Sequence, residues 1–485
     1  MKETLKKQLY GLIITAVLLV FSVAFVVLLI CTGLLTAGVI LAVSAMLFFL
    51  SASVYLLTRE PSHKVRAVIG TLLAALILAV QIISGYYIAS GAAALSHISK
   101  PSAEYAEIGV FVRKDDPAKE LSDALSYGFA ILAVLDRENT DMALEEIEKT
   151  LSEMPKTEEF DGLGELMDSL LSSKSTDAVV INKGFLDLLE DIEDHEEDLS
   201  KIRELCTIHI EKESAFVEDN EVSKLNDSVF TVYFSGIDTT GKITKRSRSD
   251  VNILATVNVE TGQILLVSTP RDYYVPLSNS KGSLDKLTHA GIYGINVSME
   301  TLEMLYDTEI DYYFKVNFDG FKDIIDALGG ITVHSDYNFK VGLAYVYKKG
   351  DNFLDGQSAL HFARARKQLP GGDRQRGKHQ MEVIKGVINK MCSPAILTGY
   401  TETLDGIKGS FETSIPYEEI AKLVRNQINK STKWNVTSYS VSGAGASRKC
   451  YSLGLKAYVM IPDQETVDKA KSLMKQVVDG EVPTV

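Results

Sequence analysis

Three apolar runs open the chain. Leu9 to Ile30 is interrupted only by Thr15 and Ser22, Leu34 to Leu57 is the second run, and Ala67 to Ala89 the third, with Gln81 as its one strongly polar member. Each exceeds the ~20 residues a helix needs to cross a bilayer core of about 30 Å. None holds an Asp, Glu, Lys or Arg, whose cost at mid-bilayer is roughly 2.5–3.5 kcal/mol. The first run is too long for a cleaved signal peptide, and two more follow it. Lys2, Lys6 and Lys7 precede the first run, and Arg59, Lys64 and Arg66 lie between the second and third. Positive flanks stay in the cytoplasm, so the pattern predicts a multi-pass anchor over 1–91 with a cytoplasmic N-terminus. An odd number of crossings then puts everything after about Gly91 outside.

The pattern changes beyond the anchor. Residues 92–104 are small and polar and read as a linker. From 105 to 224 strand-like runs at Ile108–Val112, Ala130–Leu135 and Ala178–Ile181 alternate with helical stretches at Lys119–Gly128, at Thr140–Glu153 and from Gly184. That alternation predicts a small α/β accessory domain. From 225 to 485 the strands fall at Phe230–Phe234, Val251–Val259, Gln263–Thr269, Tyr312–Val316, Ile331–Val333, Asn435–Ser440 and Ala457–Ile461. The second and third form a hairpin around Glu260-Thr261-Gly262. Helices are predicted over Ser298–Tyr306, Phe318–Leu328, Ser358–Lys367, Arg376–Met391, Tyr417–Asn429 and Asp463–Val478, with Gly329-Gly330 capping the second. The expectation is a mixed α/β domain with a central sheet between helical layers.

Charge narrows the function. A formal net charge of −14 argues against nucleic acid as a partner. The acidic run Glu190–Asp198 reads as a solvated helix face rather than a cation site. The four cysteines have no CxxC or Cys/His spacing. Cys392 and Cys450 either pair outside the cell or stay as buried thiols.

Against this acidic background the basic residues concentrate. Lys245, Arg246 and Arg248 precede Ser249-Asp250, Arg271-Asp272 follows the hairpin, and Lys286 and His289 sit in one short segment. The densest stretch holds Arg364, Arg366, Lys367, Arg374, Arg376 and Lys378, with Asp373 inside it and Gln380 after it. Arg376 and Gln380 share a helix face; Arg364 and Arg366 reach one pocket only if their helix ends there. Such clustering suits a polyanion, because the guanidinium fork grips phosphate bidentately; a surface patch offsetting acidic neighbours is the plainer alternative. Asp238 ends one strand and Asp250 opens the next, a placement open to a turn residue and a strand cap or to a shared Mg²⁺. His361, His379, Tyr273 and Tyr274 read as packing residues. No nucleotide P-loop, Gly-x-Ser-x-Gly or His-Glu-x-x-His occurs.

These segments resemble the LytR-CpsA-Psr family: Ser235-Gly236-Ile237-Asp238, Arg248-Ser249-Asp250, Ser268-Thr269-Pro270-Arg271-Asp272, Lys286 to Gly294, Leu328 to Ile331, Leu354 to Leu360, Ala363 to Arg366 and Gly372 to Arg376, in that order. The three membrane runs and the intervening domain are most similar to its capsule-associated CpsA type, from streptococci and their Gram-positive relatives. The resemblance implies a phosphotransferase that moves a glycopolymer, capsular or teichoic-acid-like, from a polyprenyl-pyrophosphate carrier to peptidoglycan. It implies Mg²⁺ (or Mn²⁺) at Asp238 and Asp250, pyrophosphate on Arg248, Arg271, Arg364, Arg366 and Arg376, and Lys286, Asp373 and Gln380 completing the pocket. Asp272, next to Arg271, is a candidate general base. His379 departs from a second Arg that many relatives carry before the Gln. A pyrophosphatase, or a non-catalytic membrane regulator touching the capsule-synthesis machinery, is the alternative. The apolar stretches Ile324–Leu328 and Met381–Ile388 are candidate walls for the lipid.

Overall fold

The computed structural model describes residues 2–60, 64–98, 104–212 (except 190, 191, 193, 194 and 196), 228–393 (except 242 and 245), 409–430 and 432–485. They fall into two compact units.

The first unit holds helices α1 (Lys2–Thr32), α2 (Ala37–Thr58) and α3 (Lys64–Ile98), of which Leu9–Thr32, Ala37–Thr58 and Lys64–Ala93 are long and apolar enough to span a bilayer. Most of their apolar side chains face outward, and a thin seam that includes Leu18, Leu47, Val54, Ala74 and Ile77 is buried between them. Gln81 is buried too, and its Nε2 donates to Ser22 Oγ over 2.8 Å. A polar pair of this kind ties helices together where water is absent. The residues expected to begin a linker continue α3 as far as Ile98, because Ala92-Ala93-Ala94-Leu95 favours a helix. Helix Tyr417–Lys430 belongs to this unit, and Tyr417 Oη donates to the Thr32 carbonyl at the C-terminal end of α1, 2.7 Å away.

The second unit contains two large sheets and several two-stranded ribbons. The first is built from β1 (Glu104–Arg113), β2 (Gly128–Leu132), β3 (Lys156–Phe160), β4 (Ala178–Asn182) and β5 (Ile202–Lys212), in the order β3-β2-β4-β1-β5. Helix α4 (Arg137–Leu151) covers one face and α5 (Leu163–Leu171) and the short α6 (Lys183–Leu186) the other. Alternation along β1 sets the faces: Ile108, Val110 and Val112 point to the α4 side, Phe111 to the α5 side. The helix expected over Lys119–Gly128 is only a single 3₁₀ turn, Leu121–Ala124. The Asp123 carboxylate takes the Lys119 and Glu120 N–H groups and so caps the start of this turn, and the chain enters β2 at Gly128 before a longer helix forms. Strand β3 was hidden by its sequence, Lys-Thr-Glu-Glu-Phe, which is exposed at a sheet edge. The acidic run from Glu190 lies largely outside the described residues.

The larger sheet is assembled from β6 (Val229–Ile237), β7 (Ser249–Asn258), β8 (Gln263–Thr269), then, after the small ribbon β9 (Tyr274–Pro276) and β10 (Leu284–Lys286), from β11 (Tyr312–Val316). Helices α7 (Ala290–Tyr293) and α8 (Ile295–Tyr306) precede β11, and α9 (Phe318–Ala327) follows it. Gly329 and Gly330 close α9 with φ of 69° and 85°, the left-handed cap expected of them. Next come β12 (Ile331–Ser335), β13 (Phe339–Val341), β14 (Tyr345–Tyr347), β15 (Gly350–Leu354), α10 (Gly356–Arg364), α11 (Asp373–Met391), β16 (Phe411–Thr413) and β17 (Asn435–Ser440). The six-stranded order is β16-β11-β6-β7-β8-β17. Tyr233, Leu254, Leu265 and Tyr313 meet α8 and helix Gln464–Val478 on one face. On the other, Phe234, Phe314 and Phe411 stack and α11 crosses β7, β8 and β17. The sheet therefore lies between helical layers, as expected.

The hairpin β18 (Gly443–Lys449) and β19 (Lys456–Pro462) joins the two sheets. Cys450, Leu453, Ala457, Val459 and Ile292 share one buried cluster with Phe111, Leu163, Ile181 and Phe185. All four cysteines are free thiols, and burial pushes Cys450 up to about 12.

Candidate active site

The site forms where β6, β7 and β8 end beside the α10–α11 turn. The β6–β7 register shifts at Gly236/Ile237, leaving Ile237 opposite Ser249. This bulge brings Asp238 next to Arg248. The Asp238 N–H donates to the Arg248 carbonyl over 3.2 Å, and Arg248 Nη2 lies 3.3 Å from Asp238 Oδ2. Asp250 binds Arg271 through Oδ2 at 2.6 Å and accepts from Thr288 Oγ1 through Oδ1 at 3.1 Å. Arg271 Nε and Lys286 Nζ each lie 3.8 Å from an Asp272 carboxylate oxygen.

The two helices supply the other wall. Helix α10 stops at Arg364, and Ala365 is extended with ψ 124°, so Arg364 and Arg366 escape the helix geometry that would separate them. The Arg364 guanidinium lies 4.2 Å over the Phe318 ring. Helix α11 starts at Asp373, whose Oδ1 is 2.7 Å from Arg376 Nη2. One turn later Gln380 Nε2 donates to the Ala363 carbonyl over 3.5 Å, tying α11 to α10 beside Arg364. Asp250, Arg271, Asp373, Arg376, Gln380 and Ser440 border a narrow cleft.

Like charges are crowded here. Burial first, and then the Asp250 carboxylate, push Asp238 above the ordinary carboxylate range against the pull of Arg248, Arg364 and Arg271. Burial likewise raises Asp272, although Arg271 and Lys286 oppose it. Arg376 is lowered by burial and by Arg271 and Arg366. Burial pulls Arg271 down as well, but Asp250, Asp272 and Asp373 outweigh it and the net direction is up. A cation near Asp238 and Asp250 would relieve the first strain, and an anion near Arg271 and Arg376 the last. The anion has donors waiting: Arg248 Nε and Arg271 Nε are buried without a hydrogen-bond partner. Two carboxylates fit a hard cation that keeps waters or takes phosphate oxygens. Among the described residues no group of three His, Cys, Asp or Glu side chains forms a protein-only metal cage.

All eleven residues singled out in the sequence lie in this one region. Thr288, Ser440 and Phe318 were missed, because neutral residues carry no charge signal; Thr288 alone stood inside a recognised segment. Lys245 lies outside the described residues, and Arg246 lines a different cavity with Gly291 and Lys315. His289 is buried with Nδ1 2.7 Å from Asp285 Oδ1. Burial favours a neutral Asp285, but His289 and the N–H of Ser452 hold the carboxyl below its usual range. This buried pair anchors the residue preceding Lys286. His361 stacks on Tyr345, with ring centroids 4.0 Å apart, and Tyr273 Oη donates to the Ser442 carbonyl. Both are packing roles, as expected.

Comparison with known proteins supplies the lineage. The LytR_cpsA_psr family model matches residues 200–476. The chain is similar to the polyisoprenyl-teichoic acid–peptidoglycan teichoic acid transferase TagU of Bacillus subtilis, 31% identical over 242 residues, which is 50% of this chain and 77% of that protein. Among solved structures it is similar to the Lin1025 protein of Listeria innocua, at 28% identity and a TM-score of 0.43, covering 52% of this chain and 100% of that one. It is also similar to TagV of B. subtilis, at 27% identity and a TM-score of 0.44, covering 52% and 98%. The chain belongs to the LytR_cpsA_psr family.

Proposed function

We propose that this protein transfers a glycopolymer from a polyprenyl-pyrophosphate carrier to peptidoglycan at the outer face of the membrane. The observation that carries the reading is the cleft itself: buried guanidinium N–H groups without acceptors, set among mutually repelling arginines, beside two mutually repelling carboxylates. A pyrophosphate and a divalent cation relieve both strains at once. The transferase name of the similar B. subtilis protein supports the same reaction class.

Arg271 and Arg376, flanked by Arg248, Arg364 and Arg366, bind the pyrophosphate oxygens and fix its orientation. Lys286 reaches the same wall through Asp272. Asp238 and Asp250 would hold Mg²⁺ (or Mn²⁺), which supplies positive charge to phosphate oxygens. A sugar hydroxyl of the acceptor attacks the phosphorus that bears the glycan. The bond from that phosphorus to the bridging oxygen breaks, and polyprenyl phosphate leaves. The hydroxyl proton passes to Asp272, whose carboxyl burial holds above the ordinary carboxylate range, making it a stronger base than an exposed carboxylate. The polymer is of capsular or teichoic-acid type; the three membrane helices and the accessory sheet favour the capsule-associated branch of the family.

The test supplies the purified full chain with a lipid-linked glycan and peptidoglycan. Linked polymer is the expected product. Free glycan phosphate formed equally well without an acceptor would assign a pyrophosphatase instead.

A further inference from the structure

Arg374 and Ser440 border the arginine cleft and also a second, larger groove of about 300 Å³ between α11 and the edge strand β17. The two spaces adjoin at these residues. The groove carries two unused polar atoms. His379 is 1% exposed, stacked on Phe362 with centroids 4.1 Å apart. Its Nδ1 lies 3.1 Å from the Phe362 carbonyl oxygen, which can only accept, so Nδ1 bears the proton. Burial holds this imidazole down to about 4, so it is neutral at neutral pH. Nε2 is then a bare acceptor, buried and without a partner, on a residue that lines the groove. Ser440 Oγ is the second such atom.

The surroundings define what fits. The Tyr439 ring offers an apolar face, and Arg374 and Lys378, one turn apart on α11, offer exposed cations. Asp336 and Glu382 add acceptors for N–H groups. A simple anion would not use Nε2, and a lipid tail would use none of these atoms. A matching ligand has hydroxyls and amide N–H groups, a flat ring and carboxylates.

We propose that this groove seats the acceptor, an N-acylated glycan strand with carboxylate-bearing peptide stems, and delivers its hydroxyl past Ser440 into the arginine cleft. The assignment rests on the transfer reaction proposed above.

The test titrates the full chain in detergent with soluble, uncross-linked disaccharide-peptide fragments of peptidoglycan, followed by calorimetry. Tyr439→Ala and Lys378→Glu each weaken binding about tenfold or more, whereas Arg271→Ala, which alters the donor cleft, binds fragments as the unmodified protein does. Lys378 is exposed, so its substitution leaves the fold intact even if Tyr439→Ala does not. Fragment binding that survives Lys378→Glu and Tyr439→Ala, or no binding by the unmodified protein, overturns the groove assignment. Neither result touches the transfer reading, which fails only if the unmodified protein links no polymer to intact peptidoglycan.

Discussion

Arg271 bonds to Asp250 and is drawn toward Asp272 and Asp373, yet its Nε has no acceptor. A side chain so restrained is pre-set for an anion, and it loses little entropy on binding one. Arg271→Ala should therefore lower kcat/KM for transfer by about 10²–10³ while the protein still folds, and Arg271→Lys should not restore it, because an ammonium lacks the fork. Steady-state kinetics with lipid-linked donor decides this; near-normal transfer by a folded Arg271→Ala variant would refute the donor cleft. Asp238 yields a prediction of opposite sign for stability. Its folded pKa is raised, so the native state holds the proton more tightly than the unfolded chain does. Stability from this group is full below the ordinary carboxylate pKa near 4 and is lost as pH rises through the folded value. Asp238→Asn removes the ionisation, so it should raise the melting temperature at pH 7 without Mg²⁺ and leave it nearly unchanged at pH 3. Adding Mg²⁺ should raise the melting temperature of the natural protein and not of Asp238→Asn. A Mg²⁺ shift that persists in the variant would place the cation elsewhere. At this scale the charged half of the site was legible, because arginines clustered in an acidic chain stand out. Thr288 was not, since its bond to Asp250 exists only in the folded chain, nor were Ser440 and the Nε2 of His379, whose roles come from burial and missing partners.

At the scale of elements, the site depends on how closely backbones approach. Helix α7 lies against the start of β7, where a Cβ on Gly291 would come within 2.6 Å of the Ser247 carbonyl oxygen and 2.7 Å of the Ser249 nitrogen. These are backbone atoms of the segment that carries Arg248 and Asp250, so the contact cannot be relieved by a rotamer change. Gly291→Ala should destabilise the protein by about 1–3 kcal/mol and reduce transfer, because the two residues move together. Thermal melts and transfer assays measure both effects; unchanged values would show that α7 plays no part in placing the site. The same comparison explains which elements could be read in advance. The β7–β8 hairpin, α8 and α11 have strong periodicity and clear turn residues, and they appear where expected. Strand β3 is polar at an exposed edge, and the Lys119–Gly128 stretch gives way to β2, which begins at Gly128 and pairs with β3 and β4. In both cases a local or tertiary contact overrode the pattern.

For the molecule as a whole, the accessory sheet is joined to the larger one by a shared core. Leu453 is fully buried between them, in the cluster that holds Val179 and Ile181 of β4 and Val459 of β19. From there Ser452 donates its N–H to Asp285 beside Lys286, and the Met460 N–H donates to the Asp272 carbonyl over 2.7 Å. The β18–β19 hairpin thus touches the accessory sheet on one side and two residues of the cleft on the other. The chain alternation announced two α/β regions but not this bond between them, because a hairpin remote in sequence closes it. Leu453→Ala should cost about 2–5 kcal/mol, and the loss should appear in both sheets. Hydrogen exchange in the full chain can follow the amides of β4 and β19 separately. Their protection should fall in parallel, with transfer falling too, since the backbone behind Asp272 and Lys286 loosens. If β4 keeps its protection while β19 loses it, the accessory sheet is an independent attachment. Its removal would then leave the arginine cleft intact, and the family's chemistry would need only the six-stranded sheet and its helices.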